Sequence, residues 1–586
     1  MQIPKRDSTL PEPPLLDRIR RSVIGDDAAV DGPYGRRRVT YADYTASGRA
    51  LSFIETFIRD EVLPRYANTH TESSTTGRQT TALREDARTL IRRSLGADDD
   101  VAVIFAGSGT TGAIDRLIGV LGLRIPSELE DRYHLSSAIP ESERPVVFVG
   151  PFEHHSNELP WRESICDVIR IPEDPDGHID QGALEAQLQR YPNRRLRIGA
   201  FSAASNVTGI VTDTYGISAL LHRYDALAVW DFAAAAPYID IEMRAPNGGD
   251  PLAYKDVVVL SPHKFVGGPG TPGVLAIRRS LLTNRVPDVV GGGTVAYVNP
   301  VEHRYLSSVE AREEGGTPAI VESIRAGLVF QLKEAVGTAT IRAHESDYVR
   351  RAIEAWSQVP SIQILGNTAA ERLSIVSFVV RRPGGTHLHH NAVVSLLDDL
   401  FGIQARGGCS CAGPYGHALL GIDVERSHEY EREITGGCEG IKPGWTRVNF
   451  NYFISEAVFT SILQAVEFVA ENGHLFLSDY RFDPTTGLWH HRDPHRTSSL
   501  LRLTDVSYDQ QGEMTYPLLA AQAPEDELPR YLDEARAMAA TRRDTAPDDH
   551  VASLSSDFDA LRWFELPAIC VSDDQNPPNE RLPLQH

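Results

Sequence analysis

The residues best suited to chemistry in this 586-residue chain are Ser261-Pro262-His263-Lys264, which directly follow the apolar run Val257–Leu260. A lysine that a strand delivers into a loop is well placed to form a Schiff base with an aldehyde. The serine and histidine before it can hold a phosphate, and a glycine-rich turn, Gly267–Gly270, comes next. An amine beside phosphate ligands indicates pyridoxal phosphate (PLP) as cofactor. The alternative is a solvated loop lysine, the usual environment of this residue type.

Two earlier predicted strands also end in residues that suit PLP. Residues 101–105 lead into Gly109-Thr110-Thr111 at the start of a predicted helix, where free backbone N–H groups and hydroxyls can bind an anion. Residues 145–149 lead into Glu153-His154-His155-Ser156-Asn157, whose imidazole could stack on a pyridine ring and move protons. Taken singly, the first motif is equally an ordinary helix cap, and the second a structural histidine pair.

Two further strands complete the set. Residues 197–201 are followed by Asn206, which could hydrogen-bond the cofactor's phenolic oxygen or a substrate carboxylate; a local loop turn is the alternative. Residues 226–231 end in Asp231, and a carboxylate at the end of an apolar strand is costly unless it is paired. A protonated pyridine nitrogen would be such a partner and would keep the ring an electron sink. The alternative for Asp231 is a helix cap.

The elements that must position these residues alternate between short apolar strands and helical stretches. This alternation predicts an α/β fold with a large, doubly wound, mostly parallel sheet, in which ligands bind beyond the carboxyl ends of the strands. The predicted strands of this sheet lie at 101–105, 145–149, 197–201, 226–231 and 256–260, with helices at 81–95 and 110–121.

The chain is too long for one ordinary core, so we predict several units. A helix at 318–336 leaves the large domain, and a smaller α+β domain follows it. Its predicted elements are helices near 340–357, 391–401 and 455–471 and strands near 373–380 and 446–453. The predicted units are an N-terminal segment at 1–38, the large PLP-binding domain at 39–317, the small domain at 318–474 and a C-terminal appendage of unknown role at 475–586.

Composition narrows the class of protein. A formal net charge of −22 argues against nucleic acid or an anionic membrane as the main partner. No apolar run reaches the roughly 20 residues of a membrane span, and no export signal is evident. The five cysteines form a sparse, odd set that does not predict a disulfide framework, so we expect a protein of the reducing cytoplasm.

The order of these motifs over residues 39–470 resembles the class V, fold-type I PLP-dependent enzymes, and within them the cysteine desulfurase and selenocysteine lyase branch. Tyr41–Ala46 and Tyr66–His70 resemble the family's opening signatures, and Arg312–Pro318 resembles a later one. The resemblance implies cofactor contacts from Gly109, Thr110, Thr111, His154, Asn206, Asp231, Ser261, His263 and Lys264. It implies substrate contacts from Thr45, Ala46, Asn206 and Arg447, whose guanidinium fork suits a carboxylate.

Two other resemblances concern the loops that follow. Thr294, after Gly291–Gly293, resembles the residue that reaches the phosphate of a neighbouring subunit, which implies a homodimer. Arg406–Pro414 resembles the loop that carries the desulfurase cysteine, which aligns with Cys411. The loop departs from the pattern in having a second cysteine, Cys409. Ala234 stands where the family often has a glutamine. A doubled cysteine and a small residue near the aspartate are features of molybdenum-cofactor sulfurases.

The resemblance therefore implies a cysteine desulfurase or related C–S lyase that acts on L-cysteine. Lys264, Cys411 and His154 would be its catalytic residues, alanine its product and a sulfur-acceptor protein a potential partner. Because an ordinary thiol has a pKa of about 8.5, Cys411 would need cations such as Arg406 or His417. Alternatives are a class V aminotransferase, epimerase or other PLP lyase without a catalytic cysteine, and a non-catalytic scaffold. Inert loop thiols, and a zinc site that would include Cys438 and His417, are the alternatives for the cysteines.

Overall fold

The structure is a computed structural model that describes residues 4, 7, 10, 12–69, 71–493, 501–518, 521–542 and 556–566. His70 of the predicted opening signature and Cys570 lie outside these residues. Within them, no helix combines the length and the apolar character that crossing a membrane requires.

A seven-stranded sheet forms the large domain. Its strands in chain order are β1 (Val101–Ala106), β2 (Val146–Val149), β3 (Asp167–Arg170), β4 (Arg197–Ser202), β5 (Leu227–Asp231), β6 (Val257–Leu260) and β7 (Gly273–Arg278). Their spatial order is β1-β7-β6-β5-β4-β2-β3. Strands β2 to β6 pair in parallel, and β7 runs antiparallel to both of its neighbours.

Both faces of this sheet are buried, which explains the continuous apolar runs in the sequence. In β1, for example, Val103 and Phe105 pack into one core, whereas Ala102 and Ile104 pack into the core on the opposite face. The principal helices of the large domain are Thr75–Ser94, Gly109–Val120, Gln181–Arg190, Thr214–Arg223 and Ile320–Val336. The first begins earlier than predicted because the Ser74 hydroxyl caps it, accepting from the backbone N–H of Gly77.

Strands β3 and β7 were not predicted from the sequence. In β3, at the sheet edge, three residues are half-buried and Arg170 is exposed, so the strand forms no apolar run. Strand β7 directly follows the glycine-rich turn at Gly267–Gly270, and that turn masked the start of the apolar run of β7.

A second sheet belongs to the small domain. Its strands are Ile362–Ile364, Ile375–Arg381, His387–Leu388, Arg406–Gly408 and Trp445–Asn449. The last two pair antiparallel and set Arg406 opposite Arg447. The helices around this sheet are Thr338–Trp356, His390–Phe401, Gly413–Leu420, Val424–Thr435 and Glu456–Asn472. The strand predicted near 446–453 ends at Asn449, where the chain turns before the helix at 456.

The segments 475–493, 521–542 and 556–566 pack against the core of the small domain, whereas nearly all of residues 501–518 are exposed. Phe482, Trp489 and Phe564 join one aromatic cluster around His389, and Trp489 donates its indole N–H to His389 Nδ1 at 3.1 Å. The helix Leu528–Thr541 contributes a buried stripe to the same core. The elements of this region are short and pack against residues that are distant in the sequence, so the region shows little hydrophobic periodicity.

We expect the Phe564→Ala substitution to lower the free energy of unfolding by about 3–5 kcal/mol, because it empties a buried aromatic site. Phe564 is fully buried, with its ring centroid 4.5 Å from that of His389. Urea denaturation followed by tryptophan fluorescence measures this change. The matched control, Tyr508→Ala, removes a side chain that is 72% exposed, so it should change the value by less than about 0.5 kcal/mol. Small, equal decreases in the free energy of unfolding of both variants would show that the segment around Phe564 is not part of the small-domain core.

Candidate functional site

A cavity of about 240 Å³ lies at the carboxyl ends of the parallel strands, between the large and small domains. It brings together residues that are far apart in the sequence. The predicted site residues that line it are Thr45, Ala46, Gly109, Thr110, Thr111, His154, Asn206, Asp231, Ser261, His263, Lys264, Cys411 and Arg447.

Thr294 is the predicted site residue that does not line this cavity. It is buried, and its hydroxyl donates to the carbonyl of Gly291 at 2.6 Å. It precedes a hairpin formed by Val295–Val298 and His303–Tyr305. Its predicted contact with a neighbouring subunit remains a prediction.

Lys264 lies in a single helical turn, Pro262–Lys264, directly after β6. Burial lowers the pKa of its amine to about 8, the nearby Arg447 charge acts in the same direction, and the Asp231 carboxylate opposes both. A larger share of this amine is therefore neutral near pH 8 than for an exposed lysine. A neutral amine is the form that attacks an aldehyde or accepts a proton.

Asp231 ends β5 as a buried carboxylate. Burial raises its pKa, while the N–H of Ala233, which donates to Oδ1 at 2.7 Å, and the charge of Lys264 act against that rise. Ala234 also lines the cavity and offers no side-chain hydrogen bond where the family often has a glutamine. The side chain at this end of the cavity that suits a cationic ring nitrogen is thus Asp231.

Another part of the cavity is built to hold an anion. The helix Gly109–Val120 begins here, and the N–H of Thr110 donates to Ser261 Oγ at 2.9 Å. Gly109 has φ of 56°, and a Cβ at this position would lie 2.8 Å from Ser261 Oγ and 3.0 Å from the ring of His263. Glycine is needed for both conformation and space, and the helix N-terminus favours negative charge.

His154 is held as a neutral ring in a fixed tautomer. Burial and the Lys264 charge lower its pKa to about 3. Its Nδ1 accepts from the backbone N–H of Ser156 at 3.1 Å, so the proton of the neutral ring lies on Nε2. The Ser156 hydroxyl is in turn 2.7 Å from Thr111 Oγ1, which ties this segment to the start of the helix Gly109–Val120.

The third side of the cavity carries two arginines bridged by one carboxylate. Arg447 donates to Asp43 Oδ1 at 2.8 Å and to the carbonyl of Asn206 at 3.0 Å, and Arg406 donates to Asp43 Oδ2 at 3.0 Å. The Thr45 hydroxyl is buried nearby with no hydrogen-bond partner among the described residues. Asp43 lies in the predicted opening signature Tyr41–Ala46, but no role for it was predicted from the sequence. The role of Asp43 follows from the strand register that sets Arg406 opposite Arg447, and the sequence alone does not reveal that register.

The two cysteines of the loop differ in position. Cys411 is exposed and lines the cavity, whereas Cys409 is half-buried against the large core. Arg406 also lines the cavity, but His417, the other cation considered for Cys411, does not. In the part of the chain that the structure describes, no group of three or more His, Cys, Asp or Glu residues could hold a metal ion. The zinc alternative therefore gains no support there.

The family profile of class-V aminotransferases matches residues 40–424. A probable cysteine desulfurase of Halalkalibacterium halodurans is 28% identical over 382 residues, which are 64% of this chain and 84% of that protein. A probable cysteine desulfurase 2 of Mycobacterium leprae is 31% identical over 274 residues, which are 46% of this chain and 60% of that protein.

Solved structures give the same fold. The apo cysteine desulfurase of Thermococcus onnurineus NA1 has a TM-score of 0.60 at 21% identity, and the match covers 80% of this chain and all of that one. The cysteine desulfurase CsdA of Escherichia coli has a TM-score of 0.59 at 20% identity, with 78% of this chain and 98% of that chain covered. The predicted fold class is thereby confirmed.

Proposed function

The chain belongs to the class-V aminotransferase family, and on that premise we propose that it is a PLP-dependent cysteine desulfurase. It would take sulfur from L-cysteine as a persulfide on Cys411 and release alanine. One observation supports this most: a single cavity holds the Lys264 amine, the Asp231 carboxylate and the exposed Cys411 thiol. The names of the relatives point to the same activity.

The cavity residues fit PLP. Gly109, Thr110, Ser261 and His263 surround the space that a Cβ on Gly109 would fill, here called the anion cradle, and they would hold the PLP phosphate there. Buried Asp231 would pair with the ring nitrogen. Neutral His154 would lie against the ring, and Asn206 would reach its phenolic oxygen. When bound, PLP supplies an aldehyde for the amines and an electron sink for the carbon chemistry.

The protein's own residues would then carry out the reaction. Arg447 binds the substrate carboxylate beside Asp43, and Lys264 removes the α-proton. Cys411 as thiolate attacks the sulfur of bound cysteine. The sulfur–sulfur bond forms as the carbon–sulfur bond breaks, and the electron pair left on the β-carbon takes a proton. Lys264 then returns a proton to the α-carbon, which gives alanine. Arg406, which lines the same cavity, is the cation suited to favour the thiolate.

The test is incubation of the PLP-loaded protein with L-cysteine in the presence of a thiol reductant, with alanine and sulfide both quantified. We expect equal amounts of the two products and much slower reaction with other amino acids. Transamination products or inverted amino acid without sulfide would favour the rival PLP enzymes. Colourless protein without a borohydride-stable lysine adduct would favour a scaffold.

The pKa of Lys264 gives a pH prediction for cofactor uptake. Its neutral form increases as pH rises through about 8, so the rate of PLP incorporation into apo-protein should rise to about pH 8 and then level off. With an ordinary lysine amine, whose pKa is about 10.4, the neutral fraction and the rate would keep rising well above that pH. Stopped-flow absorbance measures the rate, with N-acetyl-lysine as the control amine. A rate that still rises steeply above pH 9 would contradict the perturbed amine.

We expect the Gly109→Ala substitution to weaken PLP binding by about tenfold or more, because the new Cβ enters the anion cradle. Fluorescence titration of apo-protein with PLP measures the affinity. Gly122→Ala is the matched control, since Gly122 also has positive φ, 67°, but a Cβ there meets nothing within 4 Å. Equal affinity loss in both variants would assign the effect to backbone strain rather than to the cradle.

The proposal includes a cytoplasmic homodimer with a sulfur-acceptor protein as partner. Large apolar side chains that flank buried Thr294 in the sequence are exposed: Val290 is 58% exposed, Tyr297 60% and Val301 91%. Exposed apolar side chains of this kind support an interface with a second subunit. Sedimentation of the PLP-loaded protein tests the dimer. A monomeric mass at concentrations where the enzyme is active would contradict it.

A further inference from the structure

The loop that carries Cys411 has a conformation that must be held. It connects the strand Arg406–Gly408 with the helix Gly413–Leu420. Ser410 and Cys411 both have positive φ, 52° and 56°. Left-handed backbone is unfavourable for residues with a Cβ, so contacts with the rest of the protein must stabilise two such residues in succession.

Those contacts come largely from His155. Its backbone N–H donates to the carbonyl of Cys411 at 2.8 Å, and its ring Nε2 accepts from the backbone N–H of Gly413 at 3.1 Å. Asn206 adds a third contact by donating its amide to the carbonyl of Ser410 at 2.8 Å. The large domain thus holds successive peptide groups of the loop.

The ring contact meets a specific need of the helix at Gly413. The first N–H groups of a helix have no partner within the helix, and a side chain usually accepts from them. Ala412 precedes this helix and supplies no such side chain. The His155 ring from the other domain takes that place.

The protonation state of His155 suits this contact. Burial lowers its pKa, the charges of Lys442 and Arg162 act in the same direction, and Glu158 opposes them. The ring is therefore neutral near pH 7, and its Nε2 is an acceptor while Nδ1 carries the hydrogen. The partial positive charge at a helix N-terminus also disfavours a cationic ring.

We propose that His155 is a positioning residue that fixes the Cys411 loop at the mouth of the cavity. The inference rests on the proposed desulfurase function, in which the Cys411 thiol must reach the substrate sulfur. His154 and His155 are adjacent, so one short segment positions both the imidazole that would lie against the PLP ring and the loop that carries the Cys411 thiol. The histidine pair, which could also be purely structural, then has two separate tasks.

The test compares His155→Ala with the wild type as PLP-loaded protein. We expect kcat for sulfide release from L-cysteine to fall by about tenfold or more, because misplacement of a reacting group slows the chemical step. KM for L-cysteine and the affinity for PLP should stay within about twofold, since His155 contacts neither Arg447 nor the anion cradle. His155→Gln should recover most of kcat, because its amide oxygen can accept from the Gly413 N–H.

Exchange of the α-proton of L-alanine in D₂O separates positioning from general damage, because it needs Lys264 but not Cys411. We expect the exchange rate of His155→Ala to stay within about twofold of the wild type. Melting temperatures check folding, and His178→Ala, which removes a half-buried histidine outside the cavity, is the matched control. Unchanged sulfide release in His155→Ala, an equal loss of exchange, or no recovery in His155→Gln would each overturn the proposal.

Failure of the proposed function gives a different result. If the wild type makes no alanine and sulfide from L-cysteine, the loop is tested by alkylation of Cys411 with iodoacetamide, followed by peptide mass spectrometry. A positioned loop predicts an alkylation rate in His155→Ala that differs at least about threefold from the wild type, with His155→Gln close to the wild type. Equal rates in all three proteins would overturn the positioning role independently of the enzyme activity.

Discussion

The Lys264→Ala substitution is expected to lower the rate of alanine formation from L-cysteine by about a thousandfold or more, because it removes both the cofactor-linking amine and the proton acceptor. The charges of Asp231 and Arg447 both act on the Lys264 amine, and no other lysine among the described residues lines the cavity. Single-turnover kinetics with added PLP measures the loss. Borohydride reduction followed by peptide mapping should label position 264 in the wild type and leave the variant unlabelled.

A matched control separates this role from the loss of any buried lysine. Lys255 is also buried, with a pKa lowered to about 8 by burial, but its amine donates to the carbonyl of Glu242 at 2.9 Å outside the cavity. Lys255→Met should therefore retain activity within about threefold after correction for folded protein. Activity retained in Lys264→Ala, or lost equally in Lys255→Met, would contradict the assignment of the reactive amine.

The Cys411→Ala substitution is expected to lower sulfide release from L-cysteine by about a hundredfold or more, because the variant lacks the sulfur acceptor. PLP absorbance and exchange of the α-proton should stay close to the wild type, because Cys411 is exposed at the cavity mouth and holds no part of the anion cradle. Undiminished sulfide release would reject the persulfide route and favour a PLP lyase without a catalytic cysteine.

Cys409→Ala is the control for this prediction. The Cys409 side chain packs against the large core and does not line the cavity, so its loss should leave sulfide release within about threefold. A large loss in Cys409→Ala with a small loss in Cys411→Ala would contradict the assignment and exchange the roles of the two thiols.

Much of the site was predictable because it follows from one topological rule. Parallel strands direct their carboxyl ends to the same edge of a sheet, so motifs after successive strands must meet there. Gly109, His154, Asn206, Asp231 and Lys264 each follow their own strand, and the structure places all five around one cavity. The apolar runs that identify these strands are long because both faces of the sheet are buried.

What the sequence did not reveal depends on contacts between distant segments. Asp43 matters because an antiparallel register sets Arg406 opposite Arg447, and the register is fixed by the folded sheet. His155 is adjacent to a predicted residue, yet its partners lie more than 250 positions along the chain. The separate environments of Cys409 and Cys411 follow from the turn between them, which the spacing of two residues does not determine.

The most direct measurement is peptide mass spectrometry of the PLP-loaded wild type after a single turnover with L-cysteine and no reductant. We expect one added sulfur atom on the peptide containing Cys411, located on that residue by fragmentation, in an amount equal to the alanine formed. Alanine formed while Cys411 stays unmodified, or with the sulfur on Cys409, would contradict this expectation.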